Sequence, residues 1–87
     1  MSTVIVTVRD EKANIEHDME VPADVPCEEL CKRLLLALES LDEEAFGAID
    51  HIKLRLKKNG KIIGDDETLQ SQEIWDGNIL LIEREVA

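Results

Sequence analysis

At 87 residues the chain is long enough for one domain around a single modest core. Twenty Asp and Glu against ten Lys and Arg leave a formal charge of −10, which repels phosphate backbones and anionic lipid headgroups; nucleic acid is excluded as an expected partner, and a basic protein surface is favoured. One Phe, one Trp and no Tyr make the core aliphatic and remove the aromatic platform on which bases stack.

The opening Met1-Ser2-Thr3-Val4-Ile5-Val6 has no basic leader and too short an apolar run for a signal peptide. No segment approaches the roughly 18 apolar residues of a membrane span, so direct membrane insertion is not expected and a cytoplasmic location is. Cys27 and Cys31 are then expected to be reduced thiols.

Thr3 to Arg9 alternates, with Val4, Val6 and Val8 on one face and Thr3, Ile5, Thr7 and Arg9 on the other, which predicts a half-buried strand. Asp10-Glu11-Lys12-Ala13-Asn14 is a polar turn. Ile15, Met19 and Val21 then alternate with Glu16, Asp18 and Glu20 in a second strand that closes a hairpin with the first, and His17 falls on its inward side as a packed histidine.

Pro22 stops that strand. Asp24-Val25-Pro26 reads as a helix start, with a capping side chain, a proline whose missing donor costs nothing, and Glu28 and Glu29 at the positive end of the helix dipole. The helix is predicted over residues 27 to 40, with Leu30, Leu34, Leu38 and Leu41 as its buried stripe beside Cys27 and Ala37, and Leu36 pointing away. Asp42 to Asp50 is a linker in which Phe46-Gly47-Ala48-Ile49 forms a short turn over the end of the core.

Ile52 to Lys57 predicts a third strand, Ile52, Leu54 and Leu56 inward and Lys53, Arg55 and Lys57 outward. Asn59-Gly60 tolerates the positive dihedrals of a tight hairpin, so Lys61 to Ile63 is expected to return antiparallel. Asp66-Glu67-Thr68-Leu69 turns and drops one leucine inward, Ile74 does the same, and Asp76-Gly77 launches a last strand, Asn78 to Arg84. Leu80 and Ile82 face the helix, leaving Ile79 and Leu81 on the outer surface near Arg55 and Lys57.

Five of the ten basic residues crowd this second hairpin. A solvated, aggregation-resistant edge explains them, and so does a local binding face. Trp75, in the turn before the last strand, either joins Arg55, Lys57, Ile79 and Leu81 in an interface or closes the bottom of the core.

No nucleophile, base and stabiliser recur in any known catalytic spacing, so no enzyme activity and no catalytic residue are expected. Cys27 and Cys31 lie four apart with only the scattered His17 and His51 to complete a zinc set, so neither a metal site nor a cofactor is expected. The acidic clusters, Asp10-Glu11 among them, fall at turns and helix ends, where solvated acids belong.

The order from Leu54 to Glu83 of strand, turn, short return, buried Leu, buried Ile, Asp-Gly and strand resembles the back half of ubiquitin. With the first hairpin and the helix, the whole 1–87 chain is similar to the ubiquitin-like β-grasp family, an α+β fold of order ββαββ(β) in which a mixed sheet packs on one helix. Glu20-Val21-Pro22-Ala23-Asp24-Val25-Pro26-Cys27-Glu28-Glu29-Leu30 and Ile74-Trp75-Asp76-Gly77-Asn78-Ile79-Leu80 look most like the bacterial YukD-like proteins. That resemblance implies a non-catalytic interaction module, an accessory component of type VII secretion whose partner is a component of the secretion apparatus.

The terminal Gly-Gly on which ubiquitin and its sulfur-carrier relatives depend is replaced by Glu83-Arg84-Glu85-Val86-Ala87, so conjugation of the familiar kind is not implied. Lys57 stands where ubiquitin presents its exposed isoleucine, so the usual readers of ubiquitin are not expected to bind. Two other readings are an atypical modifier or carrier, and an acidic inhibitor that mimics a polyanion.

Overall fold

The computed structural model describes residues 2–85. Val86 and Ala87, on which the reading of the tail turns, lie outside the described residues. The elements run β1 (Thr3–Asp10), β2 (Ile15–Pro22), α1 (Cys27–Leu41), α2 (Glu43–Phe46), β3 (His51–Leu56) and β4 (Ile79–Glu85). The sheet order is β2-β1-β4-β3, with β1 parallel to β4 and the other neighbours antiparallel. This mixed sheet with one long helix is the ubiquitin-like β-grasp, an α+β fold.

Period-two patterning builds the sheet's inner face. Val4, Val6 and Val8 on β1, Ile52, Leu54 and Leu56 on β3, and Leu80 and Ile82 on β4 are all buried. Leu30, Leu34 and Leu38 of α1 close over them, and Leu69 and Ile74 drop in from the loop before β4 as their spacing predicts.

At the first turn, Asp10 Oδ1 accepts from the N–H groups of Lys12 (3.0 Å) and Ala13 (3.2 Å), and Asn14 takes a left-handed conformation that Asn tolerates. The other carboxylate oxygen of Asp10 points inward to Arg84, and the residue is 1% exposed. The expectation of a solvated acid fails here because an arginine 74 residues away supplies its counter-charge.

Helix α1 begins at Cys27 with Pro26 as its N-cap and no side-chain cap, so Asp24 does not cap it. The chain's own loop replaces that cap: Cys27 N–H donates to the carbonyl of Glu67 (2.7 Å) and Glu28 N–H to that of Asp65 (3.0 Å). The helix also outlasts its buried stripe, and Leu41 is 59% exposed. Phe46 takes the place expected of Leu41 and is fully buried, because Asp42 accepts from Ala45 N–H at 3.1 Å and starts the turn α2 that folds Phe46 back.

After β3 the turn spans residues 57–60. Gly60 alone there takes a positive φ (+74°), and its N–H donates to Leu56 O at 2.7 Å. The two-residue turn expected at Asn59-Gly60 is therefore replaced by a longer one, in which the Asn59 side chain accepts from Lys61 N–H at 2.9 Å. The return over Lys61 to Ile63 is a single bridge, Arg55 with Ile62, rather than a strand. Ile62 is exposed while Ile63 is buried.

Candidate protein-docking face

Strand register sets the outer face of the sheet. Reading across it, Asp18 of β2 opposes Thr7 of β1, Thr7 opposes Ile79 of β4, and the Ile79 carbonyl accepts from Lys57 N–H at 3.2 Å. In the next row Glu16 opposes Arg9, Arg9 opposes Leu81, and Leu81 opposes Arg55. The face thus runs from an acidic edge on β2, through half-buried Ile79 and Leu81, to a cationic edge on β3. Arg55, Lys57, Ile79 and Leu81 come together here from segments more than twenty residues apart.

The two cations differ in freedom. Arg55 donates from Nε to Glu83 at 2.6 Å and from Nη1 to the Gly60 carbonyl at 2.7 Å, which holds the guanidinium against the sheet. An exposed pair of this kind contributes about 0–1 kcal/mol to stability, so its main effect is orientation. Lys57 is exposed and forms no ion pair among the described residues.

Trp75 does not join this group. It is 57% exposed and lines a separate cleft with Thr3, Ala23, Gln70 and Asp76, while Lys57, Lys58 and Ile79 line a notch with Leu56, Ile74 and Gly77. That exposure also means Trp75 does not close the core. The turn carrying it is fastened to β1 instead: Asp76 Oδ1 accepts from Ile5 N–H at 2.8 Å, and Gly77 N–H donates to Ile5 O at 2.9 Å. Ile5, on the outer face and 51% exposed, is the apolar residue that sequence reasoning placed correctly on that face without singling it out. Its alternation with Val4 and Val6 carries the signal.

Elsewhere the side-chain chemistry is that of packing. The Sγ atoms of Cys27 and Cys31 lie 3.6 Å apart on adjacent turns of α1. The neighbouring Cys27 sulfur, with burial added, pushes the Cys31 thiol well above its ordinary range. Among the described residues no group of three or more His, Cys, Asp and Glu is placed to hold a metal ion. Nor is any helix among them long and apolar enough to cross a membrane.

The family described as protein YukD of the WXG100 protein secretion system (Wss) matches residues 3–82. The chain belongs to the YukD family. No protein of curated function matches it. Among solved structures, the EccD5 ubiquitin-like domain from Mycobacterium xenopi superposes with a TM-score of 0.80 at 18% identity, covering 100% of this chain and 99% of the other. The ubiquitin-like domain of ECCD1, a type VII secretion system protein of Mycobacterium tuberculosis, gives 0.72 at 21% identity, covering 94% and 98%. A chain of the MycP5-free ESX-5 inner membrane complex gives 0.76 at 19% identity, with 100% of this chain on 22% of that one. These likenesses establish the fold of this YukD-family chain as that of type VII secretion ubiquitin-like domains.

Proposed function

We propose that residues 1–87 form one non-catalytic docking domain that works in the cytoplasm as an accessory part of a type VII secretion apparatus. It binds a protein component of that apparatus through Arg55, Lys57, Ile79 and Leu81, with Ile5 extending the apolar centre and Trp75 outside the contact. The observation that carries this reading is the face itself, where a lysine with no ion pair among the described residues and two half-buried aliphatics stand side by side on the sheet. YukD-family membership and the likeness to a chain of a secretion inner membrane complex support the choice of apparatus.

The test is retention of the secretion complex by the tagged full-length protein in its native cell. Lys57→Glu and Ile79→Asp, each checked by circular dichroism for an intact fold, are expected to lose retention in both low and moderate salt. Retention unchanged in both variants removes this face from the contact. Retention that collapses in moderate salt for the unaltered protein points to polyanion mimicry through the acidic residues instead.

A further inference from the structure

The sheet has two edges, and they are finished differently. Beyond β3 the chain returns over Lys61 to Ile63, with Leu56 N–H on Lys61 O at 2.8 Å and Ile63 N–H on Leu54 O at 2.9 Å, so that edge is partly closed. Beyond β2 no described residue returns. The eight residues Ile15–Pro22 pair with β1 in unbroken register, without a bulge, and among the described residues the backbone of 15–21 bonds only within the sheet. Half of the hydrogen-bonding groups of a straight strand therefore face solvent.

The side chains flanking this edge alternate in chemistry. Glu16, Asp18 and Glu20 project on the outer face and are exposed, whereas Ile15, His17 and Met19 stand half-buried on the helix side. Among the described residues only Glu16 of the three acids has a cationic partner, Arg9 at 2.8 Å. Asp18 and Glu20 take hydroxyl hydrogen bonds from Thr7 (2.8 Å) and Thr3 (3.3 Å), which orient them without neutralising them.

We infer that β2 is a second docking edge, which adds an extended segment of a partner protein as a fifth strand. That segment carries Lys or Arg at every second position and aliphatic residues between. Its cations meet Glu16, Asp18 and Glu20, its aliphatics meet Ile15 and Met19, and its backbone takes up the open hydrogen bonds of the strand. Charge decides the occupant. A second copy of this chain would set acid against acid along the same row, which the −10 net charge aggravates, so β2 does not pair with itself. The edge shares no residue with the contact proposed through Ile5, Arg55, Lys57, Ile79 and Leu81, and the two sites stand or fall separately.

The probe is a fluorescein-labelled peptide, acetyl-Lys-Val-Lys-Val-Lys-Val-Lys-amide, titrated into the full-length protein with amide hydrogen exchange followed residue by residue. Slowing of the β2 amides on binding, by about tenfold at saturation, is expected. Asp18→Lys and Glu20→Lys, measured separately, are expected to weaken binding by about tenfold, a loss that Asp50→Lys at the opposite edge does not produce. A peptide of the same sequence N-methylated at every residue is expected not to bind, because neither of its edges can then donate hydrogen bonds to the sheet. Equal binding of the methylated peptide overturns the inference, as do protection outside β2, equal effects of the β2 and Asp50 substitutions, or no binding of the alternating peptide.

Discussion

Arg84 Nε donates to Asp10 Oδ2 at 2.6 Å, joining the end of β1 to the end of β4 where the carboxylate is sealed from solvent. The same guanidinium lies 5.2 Å from the Phe46 ring centroid and donates from Nη1 to Ala45 O at 3.1 Å. One side chain thus ties the first hairpin, the last strand and α2 together. Arg84→Met, which keeps the apolar stem and leaves the carboxylate unpaired, is expected to cost about 3 kcal/mol in urea denaturation. Adding Asp10→Asn should recover part of that loss, since the orphaned charge is gone while Oδ1 still accepts from Lys12 and Ala13. A double variant no more stable than Arg84→Met would refute the pairing as the source.

Phe46→Ala is expected to destabilise by about 3–5 kcal/mol, the cost of truncating a fully buried phenylalanine. Leu41→Ala, at a residue 59% exposed, should fall within about 0.5 kcal/mol of the unaltered protein. Melting temperatures of the two variants, compared side by side, decide whether Phe46 rather than Leu41 completes the core.

The two errors corrected by Asp10 and by the cap of α1 share a cause. Alternation along β1, β3 and β4, the leucine stripe of α1 and the inward Leu69 and Ile74 are local patterns, and each is legible because a strand or helix repeats its environment at fixed intervals. The cap of α1 by Glu67 and Asp65 carbonyls and the Asp10–Arg84 pair join residues 37 to 74 positions apart, and no spacing rule marks such partners. The candidate face was half legible for the same reason. Alternation placed Arg55, Lys57, Ile79 and Leu81 outward, whereas the position of Trp75 depended on the turn fastened to Ile5.

Gly60 and Gly77 hold φ values of +74° and +88°, and a Cβ at either would meet nothing within 4 Å. Any penalty for Gly60→Ala or Gly77→Ala is therefore backbone strain without a clash, about 1–2 kcal/mol each. Gly60→Asn should cost less, because asparagine visits the left-handed region more readily. Chemical denaturation separates these outcomes, and equal losses for Ala and Asn at position 60 would contradict a purely dihedral origin.

Glu67 gives the fold an acid-sensitive latch. Gly64 N–H donates to its Oε1 at 2.6 Å and holds the carboxyl below its ordinary value of 4.5, with Lys61 beside Oε2 helping. A carboxyl depressed in the folded state adds stability above its unfolded value, and that stability is lost as pH falls through the folded one. Glu67→Gln should therefore lower the melting temperature at neutral pH, and the gap between variant and unaltered protein should shrink as pH drops below about 4.5. A gap that is constant with pH would mean that only the hydrogen bond, and not the charge, matters.

The Cys27 and Cys31 thiols, 3.6 Å apart, share their titration. The hydrogen bond from Cys31 draws the first proton from Cys27, whose thiol lies below its ordinary value although it is only 3% exposed and sheltered from reagents. Half-exposed Cys31 is the reachable thiol, and its pKa is pushed up by the Cys27 sulfur and by burial, so at any pH near 8 it offers almost no thiolate. Native protein should accordingly react with a thiol reagent at pH 8 on the order of a hundredfold more slowly than the unfolded chain. Cys27→Ala removes the neighbouring sulfur and lets the Cys31 pKa fall toward its ordinary value of 9.0, which raises the thiolate fraction and should speed labelling of Cys31 in the folded state. Labelling followed by mass spectrometry, with circular dichroism confirming that the variant remains folded, checks this. Native Cys31 reacting at the unfolded rate would show that the sulfur pair leaves its acidity unchanged.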